Sequence, residues 1–225
     1  PSALLAARFC QGLGGSIGMV IAIAMVRDLY SGHAAAGLMA SASAHADSLL
    51  LDQDVNTLLA FTVDVSGLSK SVETGVFNVA NQTTGGSFLA FCSELLPGVS
   101  VDAVTTGLEF SPSGAVPAAV QTLYNQSFSL VNPTSAVEVA GFQIALWEAL
   151  DDGDLFGGAL QNWAGKTGSV TESEALDQAW IYLTALADGD PATASYKLTN
   201  WGNALSQDII EAKIPEPTSM ALGAL

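Results

Sequence analysis

Signals for β-strands fill the first half of this chain, and signals for α-helices follow them. Short apolar or alternating runs bounded by glycine and proline predict strands over 58–65, 75–80, 86–95 and 101–110. Because the strands precede the helices instead of alternating with them, the order predicts an α+β domain rather than a parallel sheet.

Three helices are predicted after the strands. A proline begins the helical pattern over 117–128, and capping boxes are expected at Ser135–Glu138 and Thr171–Glu174. The second and third helices are expected to end near Leu150 and Ala187, where each meets an acidic loop that contains glycine.

The chain divides by composition into a leader over 1–46, a domain over 47–213 and a short segment over 214–225. Within the leader, residues 9–26 are almost uncharged and are just long enough to span a bilayer. Ala44–Ala46 has the small-residue pattern at which signal peptidase cuts, so the mature protein is expected to begin near residue 47.

Residues 4–39 of the leader resemble a transmembrane helix and the following cytoplasmic loop of bicyclomycin-resistance-type drug efflux proteins of the major facilitator superfamily. One helix cannot transport a substrate, so no transport function is assigned to it. The segment is interpreted as a fusion or assembly remnant or a misplaced start, and the alternative is an overlong signal-anchor segment.

Charge and histidine content exclude several function classes for the domain. Asp28 is the only acidic residue before residue 47, which leaves 21 acidic residues against four lysines in the remainder of the chain. Such a surface repels nucleic acid. Both histidines, His33 and His45, lie in the leader, so the domain has no Ser-His-Asp or Cys-His machinery and no imidazole ligand for zinc. We expect a protein that is not an enzyme and has no cofactor.

A glutamine interrupts the apolar face of the second predicted helix. At about 100° per residue, Gln143 lies at the centre of a stripe that includes Val139 and Leu146, whereas Gly141 and Glu148 lie opposite. A buried carboxamide without partners costs about 1–3 kcal/mol. Gln143 is therefore either satisfied by the backbone of a neighbouring strand or engaged in a reaction.

Cys92 is the only cysteine after the leader, and a lone thiol in an exported protein is unusual. It is either a small buried hydrophobic residue or a reactive group. If its sulfur attacked the Gln143 carboxamide and ammonia left, the product would be an internal thioester protected by burial. Glu94, two residues along the same strand face, is either a proton shuttle for that step or a solvated strand-end charge.

The sequence FCSEL around Cys92, followed 51 positions later by GFQIALWEAL around Gln143, resembles the Cys-Gln thioester domains of bacterial surface adhesins. The resemblance covers roughly 58–210 and includes the SQDII segment near the end. It implies a β-rich barrel or sandwich with a helical subdomain, and covalent capture of amines or hydroxyls on a surface. It also implies an apolar pocket around the thioester, formed by Phe91, Phe142, Leu146 and Trp147.

Near the end of the chain, Pro215, Glu216 and Pro217 precede an apolar run. This arrangement resembles the PEP-CTERM sorting signal of exosortase-processed proteins in Gram-negative bacteria that produce exopolysaccharide. The resemblance implies an exosortase-type partner, export to the cell surface or extracellular matrix, and only transient membrane contact through the leader and the C-terminal anchor. The membrane helix and basic cluster of such signals do not follow Leu225, so we expect a truncated signal.

Other groups give weaker predictions. Asp151, Asp152 and Asp154 form an acidic turn that suits Ca²⁺ but lacks the closing glutamate of an EF-hand, so a solvated helix-end loop is expected and no metal is predicted. The alternatives to a thioester adhesin are a passive matrix or carbohydrate-binding module, in which the four tryptophans are candidates for stacking on sugars, and a carboxylate-dependent glycosidase.

Overall fold

The structure is a computed structural model that describes residues 46–53, 55–95, 98–189 and 195–214. These residues belong to one compact unit that begins at Ala46. Residues 1–45 of the predicted leader and the sorting motif Pro215–Pro217 lie outside the described residues. Within the described part of the chain, no helix combines the length and the apolar character needed to cross a membrane.

Nine strands and four α-helices are present in the described residues. In chain order they are β1 (Asp47–Gln53), β2 (Leu59–Val65), β3 (Leu68–Thr74), β4 (Phe77–Asn81), β5 (Ser87–Cys92), α1 (Val101–Thr105), β6 (Leu108–Pro112), α2 (Ala118–Ser127), α3 (Ala136–Asp151), β7 (Leu160–Gly165), α4 (Val170–Asp188), β8 (Lys197–Asn203) and β9 (Ser206–Lys213). Short 3-10 turns occur at Val55–Thr57 and Phe128–Leu130. The predicted α+β class is confirmed.

Six strands close an antiparallel barrel in the order β1-β4-β5-β9-β8-β6. Closure depends on strands that are distant in sequence, because β8 and β9 follow all four helices and still pair with β6 and β5. Closing the barrel leaves no free edge among these six strands. The resemblance predicted either a barrel or a sandwich, and the structure has a barrel.

A separate three-stranded sheet has the order β3-β2-β7. Its β2–β3 hairpin has a two-residue turn, since Val65 pairs with Leu68. Ser66 and Gly67 both have positive φ angles, of 50° and 82°, as a type I′ turn requires. The turn therefore fixes the register that buries Phe61 and Val63.

Helix α3 is buried along almost its whole length, from Val139 to Ala149. Gly141 and Glu148, which lie opposite the predicted apolar stripe, are also buried, because α3 packs against α2, α4 and β3. Gly141 permits the close approach of α4, since a Cβ there would lie 2.8 Å from the Cβ of Gln178.

Some predicted boundaries are also wrong. The segment expected to be one strand over 101–110 contains α1, which begins where Ser100 accepts a hydrogen bond from the Asp102 amide, and only then β6. The capping box of α4 is formed by Ser169 and Glu172, two residues before the predicted one. Local side-chain capping decides both helix starts. Strands β1, β3, β7, β8 and β9 were not predicted.

Candidate functional site

The structure brings Cys92 and Gln143 into contact. The β4–β5 ladder ends at the pair Phe77 and Ala90, so Cys92 extends beyond its neighbour on that side. There the Cys92 amide donates to Gln143 Oε1 over 3.0 Å, and Gln143 Nε2 donates to the Cys92 carbonyl over 2.8 Å. The carboxamide thus replaces the missing strand, which is the arrangement expected for a glutamine satisfied by strand backbone.

The Cys92 thiol itself contacts a different glutamine. Its Sγ–H donates to Oε1 of Gln207 over 2.8 Å, and Nε2 of Gln207 donates to the Glu94 carbonyl over 3.0 Å. Gln207 lies on β9, next to β5 in the barrel, where Cys92 pairs with Ile209. Sequence reasoning included SQDII in the resemblance but did not single out Gln207. The available signal was a glutamine two residues before an apolar pair in a strand-like segment.

All three side chains of this cluster are nearly inaccessible: Cys92 is 6% exposed, Gln143 is 1% exposed and Gln207 is 8% exposed. Burial raises the pKa of the Cys92 thiol well above its usual range, and the nearby charge of Glu94 raises it further. The thiol is therefore neutral at physiological pH and acts as a hydrogen-bond donor. A free thiolate nucleophile of the cysteine-protease kind does not fit this environment.

Glu94 lies just beyond β5, and its Oε2 accepts a hydrogen bond from the Asp208 amide over 3.1 Å. Its backbone carbonyl holds the Gln207 carboxamide. The residue predicted as a proton shuttle thus contacts the glutamine that contacts the thiol, and its side chain also joins β5 to β9.

A cavity of about 400 Å³ adjoins the cluster, and Cys92, Gln143 and Gln207 all contribute to its wall. Of the four predicted pocket residues, Trp147 lines it, and its buried Nε1 has no hydrogen-bond partner among the described residues. Phe91 and Phe142 pack against each other instead, with ring centroids 4.8 Å apart. They and the buried Leu146 are not among the lining residues, which are Gln53, Ser71, Val72, Glu73, Gly75, Phe77, Cys92, Leu95, Gly98, Val99, Gln143, Trp147 and Gln207.

The acidic turn after α3 differs from the predicted arrangement. Asp151 and Asp152 cluster with Glu148, whereas Oδ1 of Asp154 accepts the Phe156 amide. Glu148 is fully buried, and its Oε1 accepts a hydrogen bond from Trp163 Nε1. Burial raises the pKa of Glu148 to about 8. The hydrogen bond from Trp163 lowers this pKa, and the charges of the neighbouring aspartates raise it.

Comparisons of the chain with protein-family models, with curated proteins and with solved structures found no match. The function proposed below therefore depends on the contacts of Cys92, Gln143 and Gln207 and on the motifs around them.

Proposed function

We propose that this protein is an exported surface protein that forms an internal thioester at Cys92 and uses it once, for covalent attachment to an amine or hydroxyl on a surface or matrix partner. The observation that carries the proposal is the buried contact between the Cys92 thiol and the carboxamide oxygen of Gln207, beside a cavity. The resemblance to Cys-Gln thioester domains supports it.

The contacts favour Gln207 over Gln143 as the acyl partner. The Gln207 carboxamide meets the sulfur, whereas both ends of the Gln143 carboxamide bind the Cys92 backbone. In this proposal Gln143 holds the end of β5 in place, and Gln207 supplies the carbonyl carbon that becomes bonded to sulfur. Gln143, the partner predicted from the sequence, is the competing assignment.

The chemistry requires only a thiol and a carboxamide. The Cys92 sulfur adds to Cδ of Gln207, the Cδ–Nε2 bond breaks, and ammonia leaves with the thiol proton, giving an S–Cδ bond. Since the thiol is neutral, its proton must move to the departing nitrogen. The proposed carrier is the carboxylate of Glu94, whose charge is near enough to raise the pKa of the thiol. Burial holds the groups together and limits hydrolysis.

An amine or hydroxyl entering the cavity would then attack the thioester carbonyl and release the Cys92 thiol. The product is an amide or ester between Gln207 and the partner, and the reaction does not turn over. Glu73 is exposed and lines the cavity, so its carboxylate would attract a cationic amine toward the opening.

Intact-mass measurement and peptide mapping test this function. We expect a protein lighter than its sequence by one ammonia, and after methylamine treatment a methylamide on Gln207. Cys92→Ser and Gln207→Met should abolish the ammonia loss, whereas Gln161→Met, a change at a glutamine whose carboxamide donates to the Gly158 carbonyl, should retain it. An unmodified mass with rapid alkylation of Cys92 in the native protein would reject the thioester. A methylamide on Gln143 would keep the function and reverse the assignment of the acyl partner.

A second candidate, a carbohydrate-binding module, is favoured by a separate observation. Phe156 and Trp180 are exposed, their ring centroids are 5.3 Å apart, and both line a cavity of about 370 Å³ together with the polar residues Asn162 and Asp177. Exposed aromatic faces beside polar groups suit the stacking of a sugar ring. If this function is the main one, Trp180→Ala should abolish retention on a polysaccharide matrix and Cys92→Ala should leave it unchanged.

A further inference from the structure

Three carboxylates converge where α3 ends. Glu148, Asp151 and Asp152 each place an oxygen within 4.8 Å of the other two. Their spacing of three and four residues puts them on the same face of the last helical turn. Like charges at this spacing repel one another, so the cluster is stable only with a proton or a cation among the three acids.

The described residues supply no cation for this cluster. The ion pair among the described residues, between Lys213 and Glu211, lies outside the carboxylate cluster. Glu148 is 0% exposed, and its Oε2 has no hydrogen-bond partner in the described part of the chain. An unpaired buried carboxylate oxygen is costly, because nothing replaces the water that it loses on folding.

The three carboxylates are held by their other oxygens. Glu148 Oε1 accepts from Trp163, Asp151 Oδ2 accepts from the Ala159 and Leu160 amides, and Asp152 Oδ1 accepts from the Asp154 amide. Glu148 Oε2, Asp151 Oδ1 and Asp152 Oδ2 remain outside these bonds. Each side chain is thus fixed by one oxygen and has the other available for a ligand.

We propose that Glu148, Asp151 and Asp152 bind a Ca²⁺ ion through these three oxygens. Calcium accepts six to eight oxygen ligands in flexible geometry, and the exposure of Asp151 and Asp152 lets water complete the shell. Mg²⁺ prefers a stricter octahedral geometry at shorter distances and gives up its water reluctantly. The divalent charge offsets the repulsion among the three acids and supplies the missing partner of Glu148.

The site is connected to two tryptophans that can report on it. Trp163 donates to Glu148, and it stacks on Trp147 with ring centroids 6.1 Å apart and planes 5° from parallel. Trp147 in turn lines the cavity beside Cys92. Binding at Glu148 should therefore change tryptophan emission whether or not a thioester forms.

The test is a calcium titration of the full chain after a chelator has removed bound metal. Binding is measured by calorimetry and by tryptophan fluorescence. We expect one site with a dissociation constant of about 10⁻⁴ to 10⁻³ M, the range of weaker protein calcium sites. Glu148→Gln should weaken binding at least tenfold. Asp154→Asn is the matched control, because Asp154 belongs to the same loop but not to the cluster, and it should weaken binding much less than Glu148→Gln does.

Because Glu148 is buried, its substitution could impair folding, so Asp152→Asn provides a second variant at an exposed position. It too should lose at least tenfold in affinity. The proposal is overturned if calcium produces neither heat nor a fluorescence change at millimolar concentration, if Asp152→Asn and Glu148→Gln bind as tightly as the parent, or if Mg²⁺ binds more tightly than Ca²⁺.

Discussion

Replacing Gln143 with methionine tests how the end of β5 is held. The substitution keeps the side-chain length and removes both hydrogen bonds to the Cys92 backbone. Each buried polar group left unpaired costs about 1–3 kcal/mol. Burial of the apolar methionine offsets about 1 kcal/mol. We therefore expect Gln143→Met to lower the free energy of unfolding by about 1–5 kcal/mol.

The measurement is urea unfolding followed by tryptophan emission, with Gln161→Met as the matched control. The Gln161 carboxamide bonds to the carbonyl of Gly158 in an exposed turn, so its loss should change the free energy of unfolding by at most about 0.5 kcal/mol. A cost below about 1 kcal/mol for Gln143→Met would refute the reasoning, because the Cys92 amide and carbonyl would then have found other partners.

Gln143→Glu refines the same test through pH. A neutral carboxylic acid can both accept from the Cys92 amide and donate to the Cys92 carbonyl, whereas a carboxylate can only accept. Burial raises the pKa of a carboxyl group, so this variant should be close to the parent in stability in acid and should lose stability as the pH rises. A loss that is independent of pH would contradict the two-bond geometry.

Three further predictions concern other parts of the fold. Ser169→Ala should lower the free energy of unfolding by about 1 kcal/mol because it removes the cap of α4, whereas Ser173→Ala, at an exposed helical position, should change it little; urea unfolding compares them. Gly141→Ala should cost about 1–3 kcal/mol despite the better helix propensity of alanine, because the added Cβ meets Gln178, and a thermal melt that shows stabilisation would contradict this. In chelator, the contribution of Glu148 to stability is greatest below pH 4.5 and is lost as the pH rises toward about 8, because its pKa is raised, so the pH dependence of unfolding should flatten in Glu148→Gln.

Local sequence signals predicted three of the described helices and a minority of the described strands. Short apolar or alternating runs correctly predicted β2 and β4. Pro117 and Ser135 correctly predicted the starts of α2 and α3. They failed where a local capping bond competes with an extended pattern, as at Ser100, whose hydroxyl accepts from the Asp102 amide and starts α1.

Barrel closure could not be predicted in the same way. The β5–β9 pairing joins Cys92 to Ile209, and no local pattern encodes a contact over that separation. The same pairing brings Gln207 to the thiol. Gln207 and β9 were therefore not predicted for the same reason, which is that this long-range pairing leaves no local pattern in the sequence. Gln143 was found because a polar residue within an apolar helix is visible in the sequence alone.

Helix α3 connects the two proposed sites. Gln143 and Glu148 are its buried polar residues, and their surroundings differ. Every hydrogen-bonding group that links Gln143 to Cys92 has a partner, so Gln143 is suited to hold a strand and needs no reaction to justify its burial. Glu148 retains an oxygen with no partner in the described residues, and its burial is stabilising only if a proton or a cation occupies that position. Completeness of hydrogen bonding therefore separates the satisfied amide from the binding carboxylate on the same helix. The carboxamide of Gln207 is also bonded at both ends, so its contact with the thiol is what argues for Gln207 over Gln143 as the reactive carboxamide.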